Sequence, residues 1–105
     1  MLSEDMVRGA LRNVYDPEIG LNIVDLGLVY DVAVDNEGKE VKVDMTLTTP
    51  ACPAGPMIIE SAQKEILALR DIHPQLEDVN INLVWTPFWN PSMMSEDARA
   101  ELGYF

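Results

Sequence analysis

A chain of 105 residues, 48% apolar and 24% charged, is the size of one domain and has the composition of a globular fold with one modest core. Its formal net charge of −11 disfavours nucleic acid and anionic membranes as partners, because no Lys/Arg cluster is present to meet phosphates. The single cysteine excludes an intramolecular disulfide and fits a cytoplasmic setting.

The N-terminus, Met1 to Asp5, is acidic and carries no apolar run, so no secretory signal is expected. Ser3 is placed to cap a helix with Glu4 and Asp5 in its first turn, and Met6, Val7, Ala10, Leu11 and Val14 recur at helical spacing. Pro17 is expected to stop that helix. Asp16 to Gly20 reads as a turn, and Leu21 to Gly27 as a compact connection. Leu28 to Asp35 and Glu40 to Thr48 alternate as two strands of a hairpin around Asn36-Glu37-Gly38-Lys39. In the first strand, Leu28, Tyr30, Val32 and Val34 are expected to share a face. In the second, Val41, Val43, Met45 and Leu47 point inward.

A helix is expected from just past Cys52 to about Arg70, on the spacing of Ile58, Ile59, Ala62, Ile66 and Leu69, with Glu60 and Lys64 paired on its wet face. Val79, Ile81, Leu83 and Trp85 mark a third strand. Residues 85–105 form a tail in which Trp85, Phe88, Trp89, Met93 and Met94 crowd around prolines. Ser95 is placed to cap a short final helix that Gly103 ends. The order α-β-β-α-β-(α) points to an α+β fold: a two-layer sandwich of a three-stranded sheet with helices on one face, in a single domain over 1–105. The exposed sheet edges and the aromatic tail leave room for a homodimer.

The chemistry concentrates at Thr48-Thr49-Pro50-Ala51-Cys52-Pro53. A lone cysteine is ordinarily a buried structural residue. This one stands in a strand-to-helix loop, where the positive end of a helix lowers a thiol pKa. Thr48 and Thr49 can donate hydroxyl hydrogen bonds to a ligand or thiolate, or simply finish the strand. Nucleophilic catalysis needs a base nearby, and the only histidine, His73, stands at the far end of the helix, about 20 Å away by helical rise. A Cys–His dyad is disfavoured, and His73 reads as a surface or helix-terminus residue. A metal role meets a different limit: no CxxC, CxxH or HxxxH pair exists, so one chain cannot complete a four-cysteine site. Cys52 offers half a site, to be completed by a second protomer or a partner. Asp16 and Glu18 are a carboxylate pair suited to acid–base work or a hard metal, or else turn-capping and solvated residues.

Asp16-Pro17-Glu18-Ile19-Gly20, Asn22 to Tyr30, Met45 to Pro53 and the tail from Trp85 to Gly103 together resemble the SufT/PaaD-type iron–sulfur cluster assembly family, long catalogued as a domain of unknown function. The resemblance covers nearly the whole chain. It implies an α/β domain with a non-enzymatic role in iron–sulfur assembly or delivery. Its implied partners are an iron–sulfur carrier or P-loop scaffold ATPase and apo-client proteins. The chain has no GxxxxGK[ST], so such an ATPase would be a separate protein. Ending at Phe105 without the extra cysteines of PaaD-like members, it is most similar to stand-alone SufT-like members. The family's pocket, carried over, uses Asp16, Glu18, Thr48, Thr49 and Cys52, with Cys52 as transient ligand to an iron–sulfur cluster that a dimer can share. A metal-free adaptor for apo-clients and a small thiol enzyme are the competing readings.

Overall fold

A computed structural model describes residues 2–48 and 54–103. Thr49 and Cys52, two of the five candidate site residues, lie outside the described residues.

Helix α1 spans Glu4–Leu11. Ser3 Oγ accepts from the Met6 amide at 3.3 Å, and Val7, Ala10 and Leu11 are buried. The helix ends well before Pro17. The Val14 amide bonds the Leu11 carbonyl, and Tyr15 then bridges Asn22, which draws the chain into an extended return. Proline was the stop signal in the sequence, but this local pairing acts first.

Strands β1 (Val29–Val34), β2 (Glu40–Met45) and β3 (Asp78–Leu83) form a mixed sheet with β2 in the centre, antiparallel to β1 and parallel to β3. The crossover from β2 to β3 runs through α2, Gly55–Leu67, and a 3-10 turn, Ala68–Asp71. A parallel pair requires such a crossover, since no hairpin can join its ends. α2 buries Ile58, Ala62 and Ile66, spaced by four, against the sheet. α1 packs on β1 and on α2, so both helices cover one face. The α+β order expected from the sequence is the order observed.

The core joins α1, the sheet and α2 with the 14–28 connection, and includes the fully buried Leu11, Ile23, Leu26, Leu28, Met45, Ile58 and Ile66. Each such side chain is worth about 1.5–3 kcal/mol relative to exposure. The inward set of β2 is as expected. That of β1 is not, because the register shifts between Val29 and Asp31. Val29 stands opposite Met45 and Val32 opposite Val43, so the extra residue, Tyr30, leaves the alternation. A bulge of this kind re-aims one side chain.

His73 also departs from expectation. It ends the helical region but is buried, because the chain folds back through its backbone bonds to Leu69 and Leu76. Its Nε2 has no hydrogen-bond partner among the described residues.

The tail closes over the 22–27 connection. After β3, the Trp89 indole N–H donates to the Leu26 carbonyl at 2.6 Å, and the Ser95 amide donates to the Asp25 carbonyl at 2.8 Å. Gly27 has φ +80°; a Cβ there would lie 2.7 Å from the Met93 carbonyl carbon and nearer still to its oxygen. Met94 is buried, and Trp85 and Trp89 pack against the core. The aromatic stretch is thus a strap on its own domain, which leaves Phe88 as its one strongly exposed ring among the described residues, at 71%. Helix α3, Glu96–Leu102, follows with Ser95 as its cap and Gly103 as its left-handed stop. Among the described residues, no helix is long and apolar enough to cross a membrane.

Candidate functional site

Asp16 and Glu18 share a turn but face different ways. Asp16 is buried at 1% exposure, and its Oδ1 accepts from the Glu18 amide at 2.8 Å. Its carbonyl accepts from the Ile19 and Gly20 amides, and its own amide donates to Leu21. Every polar group of Asp16's backbone, and one side-chain oxygen, is therefore engaged in holding the turn closed. Glu18 is exposed and borders a cleft of about 310 Å³ with Ile19, Trp89, Met94 and Leu102. Proximity in sequence does not make the pair a joint acid–base centre: one carboxylate builds the turn that presents the other.

The adjoining connection is built in the same way. The Asn22 side chain donates to Asp25 Oδ2 at 2.8 Å and accepts from the Asp25 amide at 2.9 Å. These bonds fix the carbonyls of Asp25 and Leu26, which receive the strap. Side chains that bond nearby backbone in this manner stabilise turns at the expense of regular structure.

Thr48 is half-buried, just past the end of β2. No hydrogen bond joins it to Asp16 or Glu18 among the described residues. The Cys52 loop departs from this point and re-enters at Ala54. Its two ends are held together: Leu47 is buried, and a Cβ on Gly55 would come within 2.7 Å of Leu47 Cδ1. Glycine lets α2 start this close to the end of β2 without displacing the Leu47 side-chain tip.

The start of α2 differs in charge from the other helices. α1 and α3 each have a serine cap and two acidic residues in the first turn. α2 has Ala54 at the cap position with no side-chain bond, a proline in its first turn and no acidic residue there. Among the described residues, nothing accepts from the amides of Gly55 or Met57. Among the described residues, no side chain compensates the positive end of this helix, which follows Cys52 in the sequence.

Sequence reasoning missed Tyr30 as a structural node. Its hydroxyl donates to the Pro87 carbonyl at 2.6 Å and lies 3.6 Å from Met93 Sδ, tying β1 to the strap. Burial pushes the phenol above its ordinary pKa, and the adjacent Thr46 hydroxyl acts against that shift. Thr46 Oγ1 is itself buried and makes no hydrogen bond of ordinary geometry among the described residues, so its effect is one of proximity. Only the bulge brings Tyr30 here, and alternation alone gave no signal of it.

Among the described residues, no three His, Cys, Asp or Glu side chains come together to hold a metal ion. Iron–sulfur clusters ordinarily take four thiolates, and the chain has one cysteine.

These features define a small two-layer domain with a single-thiol loop between its central strand and its crossover helix, and an acidic turn beside a C-terminal strap. Over residues 4–85 the chain matches the model of the iron–sulfur cluster assembly protein family, and it belongs to that family. It is 48% identical over 101 residues to an Fe-S protein maturation auxiliary factor of Porphyromonas gingivalis, covering 96% of this chain and 90% of that protein. It is 47% identical over 90 residues to the Fe-S protein maturation auxiliary factor SufT of Staphylococcus aureus, covering 86% of this chain and 97% of the relative. Its fold is similar to the crystal structure of a domain of unknown function from Bacillus anthracis, with a TM-score of 0.85, 35% identity, and coverage of 97% of this chain and 92% of that one.

Proposed function

We propose that the protein is a non-catalytic auxiliary factor in iron–sulfur protein maturation, acting as one domain over 1–105 in the reducing cytoplasm. Cys52 lends a transient thiolate to cluster or iron in transit. Membership of the iron–sulfur assembly family and the likeness to named maturation factors support the role. The observation that carries the thiolate is the N-terminus of α2, which begins three residues after Cys52 and, among the described residues, has neither a side-chain cap nor an acidic first turn. A positive helix end favours thiolate over thiol.

Metal here is cargo. One thiolate leaves most of the coordination to other molecules, which suits hand-over better than storage. The remaining ligands come from a second protomer, an iron–sulfur carrier or scaffold ATPase, or the apo-client. Thr48 and Thr49 flank the loop as hydroxyl donors. Asp16 contributes by closing the turn, and Glu18 is the carboxylate it leaves facing the cleft. A catalytic thiol finds little support, because the one histidine lies beyond the far end of α2.

The test is made in cells that lack the native protein. Cys52→Ala is expected to fold with stability within about 0.5 kcal/mol of wild type, as loop substitutions do, yet to fail to restore iron–sulfur enzyme activity. Full restoration would remove Cys52 from the mechanism. It would favour an adaptor that binds apo-clients and never touches metal.

A further inference from the structure

The helix-free face of the sheet carries a feature unconnected to the Cys52 loop. Asp31 of β1 and Asp44 of β2 stand directly opposite each other in the antiparallel register. Residues so paired share a face, and like charges there repel. Among the described residues, ion pairs form at Lys39–Glu37 and Lys64–Glu60, and neither involves this pair. The side-chain partner of Asp44 is the neutral Asn82 amide at 3.3 Å. Lys42, the cation of this face, stands opposite Ala33 instead.

Asp44 also borders an open hollow of about 720 Å³, whose other walls include Val29, Tyr30, Val84, Pro87 and Met93. A doubled carboxylate beside an apolar hollow matches one kind of side chain closely. Lysine and arginine lay an apolar stem along such a surface and carry their charge at the tip.

We propose that this face is a docking site for a basic, extended segment of a partner protein. A Lys or Arg of that segment bridges Asp31 and Asp44, and an apolar neighbour fills the hollow between Val29, Val84 and Met93. The net charge of −11 steers such a partner toward the chain from a distance. The same charge argues against the other occupants. A second copy paired through this face would set acid against acid, and nucleic acid or an anionic membrane would be repelled. The inference stands on the sheet face alone and holds whether or not Cys52 binds metal.

The test is an NMR titration of the full ¹⁵N-labelled chain with the capped hexapeptide Gly-Leu-Lys-Val-Arg-Gly. Shifts are expected to concentrate at Val29, Asp31, Asp44 and Val84. The double variant Asp31→Asn/Asp44→Asn is expected to weaken binding at least about fivefold, as is raising salt until the Debye length falls to about 3 Å. A peptide with Glu in place of Lys and Arg should leave the spectrum unchanged. The neutral variant removes a repulsion, so its melting temperature should equal or exceed that of wild type; Asp44→Asn alone provides a second test. Shifts elsewhere, no shifts, or unchanged affinity in the neutral variants would overturn the proposal. So would shifts at these residues that appear on concentrating the protein without peptide, which would assign the face to a second copy.

Discussion

Gly27→Ala tests whether the C-terminal strap belongs to the fold. Gly27 sits at φ +80°, and the Cβ of an alanine would lie 2.7 Å from the Met93 carbonyl carbon. Two costs follow. A left-handed conformation costs an L-residue about 1–2 kcal/mol. The close approach to backbone then forces the strap outward, which strains the Trp89–Leu26 and Ser95–Asp25 hydrogen bonds, each worth about 0.5–1.5 kcal/mol net. The sum is about 2–5 kcal/mol, a large part of the ~5–15 kcal/mol that holds a domain together. Gly20→Ala is the control. It has φ +84° but nothing within 4 Å of its would-be Cβ, so it pays the conformational cost alone. Urea unfolding followed by tryptophan fluorescence should show Gly27→Ala less stable than Gly20→Ala by about 1–3 kcal/mol, with similar m-values. In thermal melts each kcal/mol corresponds to about 4–8 °C at this size. Equal losses in the two variants, within about 0.5 kcal/mol, would refute the docked strap, since additive independent sites agree to about that margin.

Two further outcomes follow from the site. Asp16→Asn keeps an oxygen to accept from the Glu18 amide and should cost less than about 1 kcal/mol, whereas Asp16→Ala leaves that part-buried amide unpaired and should cost about 1–3 kcal/mol; equal stability of the two variants in urea would remove the turn-closing role. The Tyr30 phenol, raised above its ordinary 10.0 by burial, favours the neutral form in the folded state. Its contribution is therefore fully present below pH ~10 and lost as pH rises through the higher folded value. Tyr30→Phe should flatten that alkaline loss of stability, and an unchanged alkaline profile would show that the phenol is not the group responsible.

The sheet and helices were legible because each has its own clear period. Val41, Val43 and Met45 alternate with Lys42 and Asp44, and Ile58, Ala62 and Ile66 recur every four residues; burial follows both patterns. What was hidden depends on contacts between distant segments. Tyr30 leaves its expected face because the β1–β2 register slips by one residue, which no local pattern encodes. The tail around Trp89 and Met93 left room for a homodimer in the sequence, whereas in the structure it folds over Leu26 and Gly27 of its own chain. The acidic turn was visible as a turn, but the division of labour between a buried Asp16 and an exposed Glu18 was not. Gly55 carried a readable hint, since a glycine opening a helix beside an apolar strand end often marks close approach.

The most direct test of the proposed role is anaerobic reconstitution of the full chain with iron and sulfide, alongside Cys52→Ser and with the mass in solution measured on the same samples. Transient ligation by Cys52 predicts visible absorbance in the wild-type protein that disappears in Cys52→Ser while the fold is retained. A colourless wild-type protein that still captures apo-clients, or a variant that binds as much iron as wild type, would contradict it.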